Sequence, residues 1–523
     1  MNSIESLVVC LFLLLGQNTC SAAGYTAHDL SSCLLFHGVK NFSFPTSPSY
    51  TTLLNYSINN LRFMLTRVRK PVALVLPDSR EGLCGAVLCT RDGSLAIRVR
   101  SGGHSFEGLS YTTENDVPFV VIDLMNLNRV QVDPDSATAW AESGTILGEL
   151  YYAVGQSSQS LAFSAGSSST IGLGGIISGG GFGMLSRKFA LAADNVLDVV
   201  LIDPSGRTLD RSSMGDDVFW AIRGGGGGSW GVVYAWKLQL VAVPRKIAVF
   251  ALSRTGPVEL IAGLIYRWQF VGPYLPDDFY ISLYLPTGSS DGSVSVLFEG
   301  QVLGSKDDAL SLLTERFPEL ECTSSDLLEI SWVESTAKFA GLSSVADLPN
   351  RGLATKFYSK RKSDYVRTPI SRHDMVNIIR YLSVGPHGSF ILYPYGGAMA
   401  QIGSDNIPFP HRAGNLYSIQ YGVYWDHSDN ASEYIGWLRK LHMYMTPYVS
   451  KNPRSAYVNC LDLDMGVNNW SHTVGGSSNE AIVRARSSWG MAYFGRNFDR
   501  LVKAKTLIDP FNVFNNAQSI PPS

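Results

Sequence analysis

Leu95-Ala96-Ile97-Arg98-Val99-Arg100 runs without a break into Ser101-Gly102-Gly103-His104-Ser105-Phe106-Glu107-Gly108. The first six residues are β-prone and predict a strand. The glycines that follow carry no Cβ and adopt positive φ freely, so backbone N–H groups can come close to a phosphate-bearing ligand. On the residues alone, His104 reads as a hydrogen-bonded loop histidine. A second glycine-rich stretch, Gly172-Leu173-Gly174-Gly175-Ile176-Ile177-Ser178-Gly179-Gly180-Gly181-Phe182-Gly183, needs the same kind of explanation. A third, residues 224–228 followed by Ser229-Trp230-Gly231, matches GxGxxG at Gly226, Gly228 and Gly231. A dinucleotide fingerprint leads into a helix, however, and Val232-Val233-Tyr234-Ala235-Trp236-Lys237-Leu238 reads as a strand. Turn chemistry is the expectation for this third stretch.

Working outward, residues 50–67 show helical periodicity, 71–77 read as a buried strand between Pro71 and Pro77, and 79–90 as a helix. Further strands are predicted at 119–124, 137–142 and 196–202. This alternation through about residue 245 implies an α+β domain. Beyond Pro244-Arg245-Lys246 the texture changes, with strands at 279–285 and 294–298 and an amphipathic helix at 307–317. A chain of 523 residues exceeds one ordinary core, so two domains are expected. Hydrophobic content of 45% and charged content of 16% suit a packed globule, and a net charge of -2 leaves no footprint for nucleic acid or an acidic membrane. A small-molecule site is the remaining class.

Residues 7–15 form an apolar run too short to span a bilayer, followed by Cys20-Ser21-Ala22-Ala23. A cleaved signal peptide over 1–23 is expected, although Glu5 and the lack of a leading Lys or Arg depart from the usual pattern. Sequons at Asn41, Asn55, Asn430 and Asn469 fit the secretory pathway, and with it the cell wall or the vacuole. The mature chain then holds Cys33, Cys84, Cys89, Cys322 and Cys460, an odd number that leaves at least one thiol unpaired. No pair has zinc-ligand spacing with nearby histidines, so no metal site is expected.

The strand leading into Ser-Gly-Gly-His, followed downstream by Gly-Gly-x-x-Ser-Gly-Gly-Gly-x-Gly, resembles the berberine bridge enzyme-like family, plant flavoproteins of the vanillyl-alcohol-oxidase (PCMH) type. Leu191-Ala192-Ala193-Asp194-Asn195, Phe219-Trp220-Ala221-Ile222-Arg223, Pro408-Phe409-Pro410-His411-Arg412, Leu461-Asp462-Leu463-Asp464 and Gln518-Ser519-Ile520-Pro521-Pro522 extend the likeness over nearly all the mature chain. The resemblance implies a two-domain α+β fold. An FAD domain over 24–245 is completed by 453–523, and a substrate domain over 246–452 lays an antiparallel sheet across the flavin. It implies FAD linked through His104 to the flavin 8α-methyl carbon. Cofactor contacts are implied at Arg100, Ser101, Gly102, Gly103, Ser105, Gly108, Leu109, Gly144, Thr145, Ser168, Ile171, Gly174, Gly175, Ser178, Gly179, Gly180, Asn195, Val196 and Asn459. Cys33 and Cys89 resemble the family's disulfide pair, which leaves Cys84 as a buried helix thiol.

The departures from the pattern carry the functional reading. Many relatives hold the flavin a second time, through a cysteine in Gly-x-Cys-Pro-Thr-x-Gly. Here the segment is Gly166-Ser167-Ser168-Ser169-Thr170-Ile171-Gly172, and the Ser168 hydroxyl does not replace a thiolate nucleophile. A single covalent bond and a lower flavin potential are expected. Ile171, at the position thought to gate oxygen, settles nothing between oxidase and dehydrogenase. Phe106 and Phe182 stand where relatives often have tyrosines. Cys460 replaces the second Tyr of Tyr-x-Asn-Tyr, in Tyr457-Val458-Asn459-Cys460. Ser418 replaces a Lys found in alcohol-oxidising members, and Gln420 stands where others use Gln or a basic Glu. The candidate catalytic set is Gln420, Tyr457, Cys460 and Ser418, and Phe106, Phe182 and His411 are the expected pocket residues. Oxidising an alcohol requires a base for its O–H proton, a role open here to Tyr457, Tyr421 or a reoriented His411. An amine expels the hydride with its own lone pair. The expectation is therefore a monomeric FAD-dependent oxidoreductase acting on a specialised metabolite, alkaloid-like or phenolic, with O2 or another electron acceptor. The alternatives are a carbohydrate or monolignol-type alcohol, or a flavin-bearing cyclase or binding protein without redox chemistry.

Overall fold

Parity and glycine placement, more than helix propensity, organise this molecule. The computed structural model describes residues 25–113, 117–288, 292–468, 470 and 479–523. The expected signal peptide over 1–23 and the Asn469 sequon lie outside the described residues.

The first sheet has four strands in the order Phe42–Ser43, Ala73–Val75, Phe119–Asp123, Ala96–Arg100. Ala73–Val75 and Ala96–Arg100 both run parallel to Phe119–Asp123, with the Arg80–Asp92 helix as the crossover between them. Ser79 caps that helix, its Oγ accepting from Gly82 N at 3.1 Å. Phe119-Val120-Val121-Ile122-Asp123 is buried at every position, as a central parallel strand must be. A disulfide joins Cys33 to Cys89, with Cα atoms 5.7 Å apart. It ties the Ala27–Phe36 helix to the crossover helix. Cys84, Cys322 and Cys460 are free thiols; Cys84 is half-buried on its helix, not fully buried as expected.

A five-stranded antiparallel sheet follows, Val130–Asp133, Thr138–Glu142, Val232–Gln239, Val196–Ile202, Thr208–Leu209. The third sheet has seven strands, in the order Leu327–Ile330, Ile247–Gly256, Val294–Val302, Phe279–Pro286, Gly388–Pro394, Tyr417–Trp425, Tyr358–Val366, all antiparallel. The α+β class is therefore observed. The C-terminal residues Trp489, Tyr493, Phe498, Leu501 and Ile520 share one core with Leu147, Leu173, Trp220 and Trp230. Lys505 Nζ, fully buried, donates to Ser229 O at 2.7 Å and to Asp509 at 2.6 Å, locking that return in place.

One helix is shorter than its periodicity predicts. Over 50–67 the chain is helical only at Tyr50–Tyr56, with a single further turn at Leu61–Phe63. The intervening segment is recruited elsewhere. Ser57 O lies where a Cβ on Gly103 would fall, at 1.6 Å, and Asn60 Nδ2 donates to Phe106 O and Ser359 O at 3.0 Å each. Tertiary contacts with the His104 loop override the local pattern. Among the described residues no helix is long and apolar enough to cross a membrane.

Candidate active site

Between the glycine stretches and one face of the seven-stranded sheet lies a cavity of about 770 Å³, toward the upper end of the ~300–1,000 Å³ usual for ligand pockets. The glycine wall is made by close backbone approach. A Cβ on Gly102 would sit 2.2 Å from Gly172 N, so the first two stretches touch with no room for a side chain. Gly175, on the short Leu173–Ser178 helix, has nothing within 4 Å of its Cβ position and opens onto the cavity. The third stretch is more than turn chemistry. It leads into a strand, as expected, yet Gly226 N donates to Ser178 O at 2.8 Å, and Gly225 to Ser229 line the same cavity. All three stretches therefore converge.

Three polar atoms along this wall, Asn59 Oδ1, Ser110 Oγ and Ser143 Oγ, are buried without a hydrogen-bond partner. Buried polar groups in folded proteins are nearly always satisfied, so such a set fits a polar ligand. Bare backbone and orphaned polar atoms along a long cavity suit the diphosphate and ring system of FAD. His104 faces this cavity, its Nε2 2.9 Å from Thr170 Oγ1. Burial, reinforced by the nearby Arg361 charge, pulls the imidazole down to about pKa 4, so the ring is neutral at physiological pH.

Of the expected cofactor contacts, Ser101, Gly102, Gly103, Ser105, Leu109, Ser168, Ile171, Gly174, Gly175, Ser178 and Asn459 line the cavity with His104. Arg100, Gly108, Gly144, Thr145, Gly179, Gly180, Asn195 and Val196 do not. They brace the wall from behind. Arg100 is fully buried in an ion pair with Asp123 at 2.6 Å, and it donates to Leu54 O at 2.7 Å, fixing the helix that precedes the loop. Thr145 O accepts from Leu173 N at 2.7 Å, and Asn195 Nδ2 donates to Phe189 O at 2.7 Å.

The sheet wall obeys strand parity. On the Tyr358–Val366 edge strand Ser359, Arg361 and Ser363 face the cavity, as do Ser418 and Gln420, Ile391 and Tyr393, and Tyr280, Ser282 and Tyr284 on the three strands inward of it. Ser363 pairs with Gln420, and Gln420 with Ile391, so these residues form one cross-strand row. Gln420 Oε1 accepts from Tyr393 Oη at 3.2 Å, and its Nε2 lies 3.8 Å from Cys460 Sγ. Tyr457 Oη accepts from the backbone N–H groups of Gly181 and Phe182, at 3.1 and 3.2 Å, and from Asn459 Nδ2 at 3.0 Å. Ser418, Gln420, Tyr457 and Cys460 are thus brought together on the cavity. Burial pushes the Cys460 thiol up to about 12 and raises the Tyr457 and Tyr393 phenols, so all three are neutral at physiological pH.

Phe106 and Phe182 line the cavity, and Phe182 stacks on Tyr395 with centroids 5.0 Å apart. His411 does not reach it. The imidazole is buried behind Tyr365, stacked at 4.2 Å, and burial lowers its pKa to about 3. Tyr421 is on the wrong parity and donates to Asp364 Oδ2 at 2.8 Å. Neither serves as a base here. Besides Arg98, which the sequence reading placed only within the strand before the His104 loop, two charged cavity residues escaped it: Glu299, whose carboxyl is raised by burial, and Arg361. The first lies in a predicted strand's extension and the second between two lysines. Only the faces of their strands distinguish them.

The chain matches a family model described as FAD binding domain over residues 71–212 and another described as Berberine and berberine like over residues 456–521. It is 46% identical to berberine bridge enzyme-like D-2 of Nicotiana tabacum over 99% of this chain and 96% of that protein. Reticuline oxidase of Eschscholzia californica is 47% identical, over 98% of this chain and 94% of the relative. The solved structure of berberine bridge enzyme from Eschscholzia californica superposes with a TM-score of 0.91 at 48% identity, covering 94% of this chain and 99% of that one.

Proposed function

The chain belongs to the berberine bridge enzyme-like family of FAD-dependent oxidoreductases, and from that premise we propose that it holds FAD through His104 alone and oxidises a small specialised metabolite of alkaloid-like, amine character. FAD, when bound, supplies the hydride acceptor, and O2 or another acceptor takes the electrons on. A neutral imidazole supports the linkage: Nε2 is taken up by Thr170 Oγ1, and the tautomer that donates from Nε2 leaves the Nδ1 lone pair as the one that bonds carbon. Ser168 faces the same cavity, but a hydroxyl at neutral pH is not the nucleophile a thiolate is.

The observation that carries the amine reading is the set of titratable groups around Gln420 on the cavity. Cys460, Tyr393 and Tyr457 are all held in their neutral, protonated forms, and the Gln420 amide takes no proton. An amine needs no proton acceptor, because its nitrogen lone pair drives the hydride out. Glu299 is the sole carboxylate among the described cavity-lining residues, and it can balance the positive charge that develops on nitrogen. Tyr457, pinned by three donors, keeps Gly181, Phe182 and Asn459 in place at the junction of the two walls. Glu299 also favours a second reading, in which it accepts the proton of a carbohydrate or cinnamyl-type alcohol. The Cys33–Cys89 disulfide supports an oxidising, secretory compartment, and Asn41 and Asn430 are exposed where glycans would attach.

Mixing the yellow protein anaerobically with amines, alcohols and sugars tests both readings through bleaching of the flavin band. Bleaching by amines, with only a modest loss in Glu299→Gln, is expected. Bleaching by an alcohol alone, abolished in Glu299→Gln, would establish the second reading instead.

A further inference from the structure

Among the described residues, Arg361 is a cation on the cavity that meets no carboxylate. The Tyr358–Val366 strand carries Lys360, Arg361 and Lys362 in succession, and parity divides them. Lys360 and Lys362 turn away from the cavity into a buried cluster, where Lys360 meets Glu107 and Asp462, and Lys362 meets Asp462 at 2.5 Å and Asp464 at 2.7 Å. Arg361, on the opposite face, lines the cavity and has no carboxylate within 4 Å among the described residues. Its Nε is buried without a hydrogen-bond partner. The other arginine on the cavity, Arg98, is engaged by Thr112 O at 2.9 Å and Asn515 O at 2.8 Å.

The guanidinium is nonetheless fixed in place. It lies over the Phe106 ring at 4.6 Å and near the Tyr424 ring at 5.3 Å, an arrangement that orients the fork without using its N–H groups. Across the sheet its register partner is Gly422, and the row continues to Ser389. Among the described residues no side chain accepts a hydrogen bond from its Nε. A buried, unpaired donor is costly, whereas a charge-assisted, bidentate bond to a carboxylate is among the stronger interactions a cavity can offer.

The anion does not come from the flavin. Arg361 rests on Phe106, two residues beyond His104, and so lies near the linkage end of the ring, whose methylated benzene edge bears no charge. This step rests on the proposed His104 linkage. We propose that Arg361 anchors a carboxylate of the substrate, so that the compound oxidised is a carboxylated member of the proposed class. Arg361 and Glu299 then set the two charged contacts of a substrate that bears both a nitrogen and an acid group.

Calorimetric titration of the flavin-loaded protein with 3-phenylpropanoate, 3-phenylpropanamide and inorganic phosphate tests this without turnover. The acid is expected to bind about tenfold or more tightly than the amide, a preference lost in Arg361→Gln and partly kept in Arg361→Lys. An unchanged flavin spectrum in both variants shows that they fold. Equal affinity for acid and amide, no binding of the acid at millimolar concentration, a preference surviving Arg361→Gln, or phosphate binding as tightly as the acid would each overturn the proposal. Failure of the redox reading is seen separately, as a flavin that no candidate reductant bleaches.

Discussion

On one wall of the cavity Gly102 and Gly172 meet backbone to backbone; on the facing wall Arg361, Gln420 and Tyr393 project from three strands and meet only as side chains. The first wall tolerates almost no side chain, because its function is to bring N–H groups close to a ligand that the whole family shares. The second is a mosaic in which each position can change independently while the pleat stays the same. That contrast explains how one cofactor site can serve many substrates: the backbone wall is fixed by sterics, and the sheet wall is free to vary by parity.

The two walls should respond differently to substitution. The largest effect is expected from His104→Ala. After acid precipitation the wild-type pellet keeps its yellow colour, whereas the variant releases it to the supernatant. Colour retained by the variant would show a second covalent bond and end the single-link account. Next is a paired test within the glycine wall. Gly102→Ala forces a Cβ to within 2.2 Å of Gly172 N and should cost about 3–5 kcal/mol of stability, read from thermal or denaturant unfolding. Gly175→Ala meets nothing in the protein, so the fold should persist while flavin loading falls, seen as a lower ratio of visible to protein absorbance. Loss of stability in both variants alike would erase the distinction between contact with protein and contact with ligand.

A smaller effect is expected where the walls are tied together. Burial opposes ionisation of Asp462 and Asp464, but Lys360 and Lys362 outweigh it at Asp462, and the Arg439 hydrogen bond followed by the two lysines outweighs it at Asp464, so both carboxyls lie below the usual range. A depressed folded-state pKa stabilises the fold above the unfolded value of about 3.9 and loses that contribution as pH falls toward the folded values. Stability should therefore drop below about pH 4 in the wild type. Asp462→Asn should be less stable at pH 7 and show a shallower acid dependence. A variant as acid-sensitive as the wild type would place the linkage elsewhere. The smallest effect belongs to Cys460→Ser, in the Val458–Cys460 turn facing Gln420 of the sheet wall. A thiol held near 12 donates or accepts no proton at pH 7, so kcat should change by less than about threefold and the pH profile should stay as it is. Loss of an alkaline limb would return Cys460 to an acid–base role.

The strand into Ser101-Gly102-Gly103-His104, the second glycine stretch and the α+β class were legible in the residues themselves, through local chemistry such as glycine where a Cβ cannot fit and prolines bounding a buried strand. The Cys33–Cys89 pair was implied only by the family resemblance, because five cysteines in sequence do not say which two meet. The helix over 50–67 was misjudged because Gly103 and Phe106 claim its continuation, a contact that periodicity does not contain. The third glycine stretch was undervalued for the same reason, since its partner, Ser178, lies far away along the chain.

What the amino acids fixed unaided is the set of positions where backbone must approach backbone or ligand, because steric exclusion acts within a few residues and leaves glycine as its mark. What only the folded molecule decided is which neighbour in Lys360-Arg361-Lys362 faces the cavity, that Glu299 joins it, and that His411 and Tyr421 do not. Those outcomes follow from strand register and sheet packing, where a shift of one residue moves a side chain to the opposite face.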